Sequence, residues 1–214
     1  MLFRSSWPTA LPSLDPSADA ARITDLLAQV PVVATRPQVP GYDRDCGPSD
    51  ACSFGESWSD DTDAPDGHNG CDTRNDVLRE QLTDVAYSRS SPGCDVVAGR
   101  LVDPYEGKVM EYATQGAQIH VDHLIPLAAA WDLGAAGWSQ AERDRFANDT
   151  GVELVAVYSG ANLSKGDSTP ASWLPPLKAY RCTYVTRYLE AALAYDLPIT
   201  AADANVIGAV ARRC

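Results

Sequence analysis

Asp122 and His123 stand side by side within "IHVDHLIPLAAAWDLGA", residues 119–135. Their neighbours are apolar, and an acid and an imidazole buried there unpaired would be costly. Either the two pair or they do chemistry. A neutral histidine can take a proton from water near neutral pH, and a carboxylate is a hard oxygen donor for a divalent cation. Downstream, "VELVAVYSGANLSKGD", residues 152–167, runs from a strand pattern into a turn carrying Asn162, Lys165 and Asp167. The Asn162 carbonyl is a second hard donor. Two strands, a long connection and a turn into a helix can bring Asp122, His123 and Asn162 to one point. A cation held there would neutralise charge on a phosphate and its leaving oxygen. Adjacent residues on a strictly extended strand point to opposite faces, but Pro126 ends this strand and lets its end bend to present both.

Other residues carry weaker signals. His120 lies three positions before His123, which on a strand puts it on the opposite face, structural or solvent-facing. Arg74 follows Cys71 closely and, held rigid by a disulfide, suits bidentate phosphate recognition; an ion pair with Asp72 or Asp76 is the other reading. The loop "SWSDDTDAPDGHNGCD", residues 57–72, gathers Asp60, Asp61, Asp63, Asp66 and His68. It lacks EF-hand spacing, which leaves a second ion site or a solvated acidic loop. Trp131, Trp138 and Trp173 fall at helical positions that suit packing better than base stacking.

The elements that position these residues follow from pattern. The chain has 214 residues, 45% of them hydrophobic, enough for a packed core. No apolar run is long enough to span a membrane. Helical patterns occur at 17–30, 73–87, 126–135, 139–149, 177–196 and 200–214, with a Ser139–Glu142 capping box. Strand patterns occur at 95–102 and 108–112, joined by a turn-rich "DPYEG", and again around 119–123 and 152–158. One α+β domain with an N-terminal arm, residues 1–45 with one short helix, accounts for this pattern. Six cysteines at 46, 52, 71, 94, 182 and 214 include no CxxC pair, which favours three disulfides over a zinc ribbon. Local pairing suggests Cys46–Cys52, Cys71–Cys94 and Cys182–Cys214, although six cysteines allow on the order of 15 connectivities. Disulfides imply an extracytoplasmic protein. The first residues show no signal-peptide core, so a secreted chain beginning this way has lost its signal peptide. The net charge of −12 argues against simple electrostatic nucleic-acid binding but not against an enzyme with a bound cation.

The motifs "GCDTRNDVL", "GRLVDPYEGK", "VDHLIPLAAAWDLGAAGWS", "RFAND", "NLSKGD" and "SWLPP" occur in order across residues 71–182. Together they resemble the HNH, or ββα-metal, endonucleases, and within them secreted bacterial HNH proteins related to the C-terminal nuclease domain of GmrSD-type restriction enzymes. The resemblance implies a disulfide-stapled ββα-metal core with flanking helices, spanning residues 46–214. It implies His123 as general base, Asp122 and Asn162 as ligands of a divalent metal (Mg²⁺ first, Mn²⁺ or Ca²⁺ otherwise), and Lys165 and Asp167 in the turn closing the site. Arg74 and Lys165 are the candidate phosphate contacts. Glu153 stands where the family has its central asparagine; it could hold the loop of the base histidine differently or add a metal contact. The function so implied is a secreted endonuclease, active as a monomer on DNA, with RNA as the alternative substrate and no membrane partner. A non-catalytic disulfide-rich binding module on the same scaffold is the second reading, and a phosphodiesterase for a small molecule the third.

Overall fold

The computed structural model describes residues 16–44 and 52–214. In chain order the elements are α1 (Pro16–Leu27), β1 (Val32–Val33), α2 (Thr73–Gln81), β2 (Thr83–Tyr87), β3 (Val96–Val102), β4 (Val109–Glu111), α3 (Tyr112–Gln115) and β5 (Ile119–His123). Then follow α4 (Leu127–Leu133), α5 (Gln140–Ala147), β6 (Leu154–Tyr158), α6 (Ser159–Lys165), α7 (Arg181–Ala194), β7 (Ile199–Thr200) and α8 (Ala201–Ala211). Helices and mainly antiparallel strands are mixed. The strands form the order β2-β3-β4, an antiparallel β5-β6 pair and a two-residue parallel β1-β7 pair.

The expected β3–β4 hairpin forms, with Arg100 opposite Glu111 and Val102 opposite Val109. The helix expected over 73–87 does not run that far. It stops at Gln81, Leu82 is extended, and residues 83–87 become β2 against β3. Three-strand pairing and burial of Leu82 against the side-chain-free Gly99 outweigh the helical periodicity there; a Cβ on Gly99 would stand 2.8 Å from Leu82 Cδ2. The β5–β6 pair is in strict register from Ile119–Tyr158 to His123–Leu154. Helix α6 follows β6 at once and packs on both strands.

Two apolar clusters flank this pair. Ile119, Val121, Leu154 and Ala156 join α2 and β3, whereas Val155 and Val157 join α4, α5, α7 and α8. The segment expected as an arm lies on the body from Pro16 onward: α1 packs against α7 and α8, and Ile23 is fully buried. Trp131, Trp138 and Trp173 pack against the larger cluster, as their spacing suggested. Among the described residues, no helix is long and apolar enough to cross a membrane.

Two of the three expected disulfides are described. Cys71–Cys94 ties the start of α2 to the turn before β3, and Cys182–Cys214 ties α7 to the last residue. Cys46 lies outside the described residues, so its expected bond to Cys52 does too. These bridges close 23- and 32-residue separations, each worth roughly 2–4 kcal/mol. Reduction with dithiothreitol is therefore expected to lower the melting temperature by about 10 °C or more in a chain of this size. Calorimetry with and without reductant checks this, and an unchanged transition would contradict it.

Candidate active site

Strand β5 stays extended and paired through His123, so its last two side chains leave opposite faces. The expectation that Asp122 and His123 bend toward one point is corrected: the ladder to Leu154 holds the strand end straight. His123 projects to the side where α5 ends. Its Nε2 lies 2.8 Å from the Ala147 carbonyl. A carbonyl only accepts, so Nε2 carries the proton and Nδ1 keeps the lone pair. Trp58 stacks on the ring, 5.7 Å between centroids and 11° from parallel. Burial pushes the His123 pKa down to about 4, against the opposing pull of the Ala147 hydrogen bond and of Asp122. The imidazole is thus neutral across the physiological range. It lines a cleft of about 520 Å³ with Tyr42, Arg44, Phe54, Glu56 and Trp58 among its walls. Nothing in the sequence assigned a role to Trp58, or to Ala147 within "RFAND". The Ser139–Glu142 capping box, present as expected, fixes the start of the helix that brings Ala147 into place.

Asp122 points the other way and is 6% exposed. Tyr105 donates its hydroxyl to Oδ2 at 2.6 Å, and Lys165 donates Nζ to Oδ1 at 2.9 Å and to the His123 carbonyl at 2.6 Å. Burial, with the Asp122 charge beside it, raises the Tyr105 pKa and keeps its proton in place. Lys165 is 1% exposed, which corrects its assignment as a phosphate contact: the ammonium is spent inside the protein on the carboxylate and on the strand end. Asn162 sits one helical turn before Lys165, its amide nitrogen 3.4 Å from His120 Nδ1. His120 therefore shares a face with Asp122 and not with His123, as its odd spacing required. Burial and the nearby Arg74 charge lower the His120 pKa.

Arg74 donates Nη2 to the Ile119 carbonyl at the start of β5. Neither acid considered for it is its ion-pair partner among the described residues. Asp72 caps α2 through the Asn75 amide, and Asp76 pairs with Arg79 at 2.7 Å. Arg74 is half-buried beside His120.

Glu153 is fully buried. Its backbone carbonyl accepts from Leu124 N at 2.8 Å and its Oε1 accepts from Ile125 N at 2.9 Å. It pins the backbone just after His123, which makes it a residue of positioning. Oε2 is buried without a partner, and burial raises the pKa well above that of an ordinary carboxyl. A group whose folded pKa is raised contributes stability that is whole below its unfolded pKa of 4.5 and is lost as pH rises. Burial gives Asp76, pushed up to about 6, and Glu80, up to about 7, the same sign. His123, lowered to about 4, has the opposite one: its contribution is lost as pH falls from 6.5 toward 4. Glu153→Gln keeps the acceptor and cannot ionise. Its melting temperature relative to wild type is expected to rise between pH 5 and pH 8, by up to about 1.4 kcal/mol per pH unit in stability. A difference independent of pH would mean that Glu153 is not held protonated.

The cation implied by the resemblance can be tested against these donors. Each Asp122 oxygen accepts one hydrogen bond and retains a lone pair, the arrangement of a carboxylate oriented by its neighbours. The Asn162 carbonyl has no hydrogen-bond partner among the described residues, and Asn162 lies on the same helix face as Lys165. These are two hard oxygen donors, but Lys165 already balances the Asp122 charge and Asp122 is nearly buried, so any cation they hold would be bound weakly. It does not fit zinc: among the described residues, no three His, Cys, Asp or Glu side chains gather to hold a metal. The acidic loop uses Asp60 on its own backbone, accepting from Asn69 N and Gly70 N at 3.0 Å.

A family model described as "GmrSD restriction endonucleases, C-terminal domain" matches residues 72–210. A protein of Arthroderma benhamiae called "Uncharacterized secreted protein" is 34% identical over 210 residues, covering 97% of this chain and 91% of the relative. No solved structure matches. The matched span holds β5, β6, α6 and both histidines at their centre, and on it the chain belongs to the family of the GmrSD restriction endonuclease C-terminal domain.

Proposed function

We propose that this protein is a secreted endonuclease hydrolysing phosphodiester bonds in DNA, with RNA as the alternative substrate, on a ββα-metal core formed by β5, β6 and α6. One observation carries the reading: a neutral histidine, fixed in its tautomer by the Ala147 carbonyl and braced by Trp58, faces a cleft within a nuclease-family match. In this reading His123 Nδ1 accepts the proton of an attacking water. Glu153, Lys165 and Tyr105 hold the strand end around it, and Arg74 meets a phosphate from the other side of β5. Asp122 and Asn162 lie on the other face of β5, where they would hold a divalent cation, Mg²⁺ before Mn²⁺ or Ca²⁺, whose charge would neutralise substrate phosphate. The relative's printed name and the two disulfides support secretion. We take the active form to be a monomer with no membrane partner.

Supercoiled plasmid and total RNA, each incubated with the protein with and without EDTA, test the proposal. Nicking or linearisation that chelation abolishes is expected. Activity untouched by EDTA would remove the cation from the proposal. No cleavage of any nucleic acid in the presence of each cation would favour a non-catalytic binding module, the reading to which the charge of −12 lends weight.

A further inference from the structure

We infer that the cleft beside His123 is a subsite for an unpaired nucleobase, which makes single-stranded nucleic acid the preferred substrate; this rests on the nuclease reading. Tyr42, Phe54 and Trp58 contribute three aromatic side chains to the cleft walls, and Leu127 adds an aliphatic one. The volume, about 520 Å³, is within the range of small-molecule sites and exceeds what one planar base requires. The aromatic walls are held from behind: Tyr42 and Phe54 both pack on Trp131, and Phe54 on Phe146.

Charge decides which part of a nucleotide enters. The ionisable side chains lining the cleft besides His123 are Asp43, Arg44 and Glu56. With two acids and one cation among them, the walls offer no excess of positive charge to draw a phosphate deep into the cleft, while a neutral base loses nothing. Trp58 is held at φ 60, a left-handed conformation that a bulky side chain rarely adopts, with its carbonyl taken by Thr73 N. That backbone keeps the indole parallel to the imidazole, so the ring against which a base would lie also braces the base histidine.

The whole-chain charge points the same way. Binding to duplex DNA rests on many phosphate contacts, and a chain of net charge −12 has few to offer. Stacking is sequence-tolerant and independent of such contacts. A base can enter the cleft only when it is out of a duplex stack, so pairing of the substrate should inhibit.

The test has three arms. Adenosine, guanosine, cytidine and thymidine, all uncharged, are titrated into the wild-type protein by calorimetry; saturable binding of at least one is expected. Cleavage of a single-stranded oligonucleotide is compared with that of its duplex, and the single strand should be cut at least tenfold faster. Third, the rate on the single strand is divided by the rate on bis(p-nitrophenyl) phosphate. Tyr42→Leu should lower that ratio roughly five- to hundredfold, the usual cost of one lost base–aromatic stack. No nucleoside binding at 10 mM, equal rates on single strand and duplex, or an unchanged ratio in Tyr42→Leu would each overturn the inference. If no phosphodiester is cut, the nuclease reading falls, and nucleoside binding alone then decides the cleft.

Discussion

His123→Ala should lower the turnover of plasmid or oligonucleotide by about 10²–10⁴-fold, the usual contribution of a positioned general base. Cation affinity should stay within about twofold, because His123 leaves the face of β5 opposite to Asp122 and Asn162. Calorimetric cation titration beside kinetics separates the two. A loss of binding as severe as the loss of activity would make His123 a ligand. The pH profile adds an independent check. Burial holds the imidazole neutral down to about pH 4, and a general base must be neutral to accept a proton. Turnover should therefore be flat from pH 8 to about pH 5 and fall only as pH approaches 4. The same shift makes His123 a weaker base than a solvent-exposed histidine, which lowers the ceiling on rate while widening the working range toward acid. An acid limb near 6.5 would show that the group accepting the proton is not the buried His123.

Much of the scaffold was legible because its signals are local. The hairpin of β3 and β4 announces itself through "DPYEG". The Ser139–Glu142 box fixes the start of α5, and two cysteine pairs followed from proximity in sequence. Strand β2 was not legible: "TDVAY" continues a helical pattern, and only pairing with β3, which no local window contains, makes it a strand. The site was legible in its residue types and not in its directions. Asp122, His123, Asn162 and Lys165 stood out by type, yet the strand end was expected to curl and the ladder to Leu154 keeps it straight. Lys165 looked like a phosphate contact because a lysine in a turn is usually exposed. Its burial depends on Tyr105 and Asp122, contributed by segments far apart in the chain. Trp58 carries no motif, and Ala147 is only the small residue within "RFAND". They matter through one ring contact and one carbonyl direction, which exist only once α5 is docked.

The buried pair of Lys165 and Asp122 carries the largest expected effect on stability. Lys165 Nζ lies 2.9 Å from Asp122 Oδ1, with the lysine side chain wholly buried and the aspartate nearly so. Removing one member of such a pair strands the other charge in the interior, at about 3–5 kcal/mol. Lys165→Met is expected to lower the melting temperature by roughly 6–20 °C, and Asp122→Asn by a similar amount because it leaves the ammonium uncompensated. The double variant Asp122→Asn/Lys165→Met should recover most of the loss, since neither charge remains and the asparagine can still accept from Tyr105. A coupling of about 3 kcal/mol or less between the two sites is the scale to expect for residues in contact. Strict additivity in that cycle would show the pair to be screened by water. Cation binding divides the two single variants. Lys165→Met removes the charge that balances Asp122 and should tighten binding of Mg²⁺, whereas Asp122→Asn should weaken it. Equal affinities in both would leave Asp122 as a structural anion held by Lys165 and Tyr105, and would place the cation elsewhere along the edge of β5.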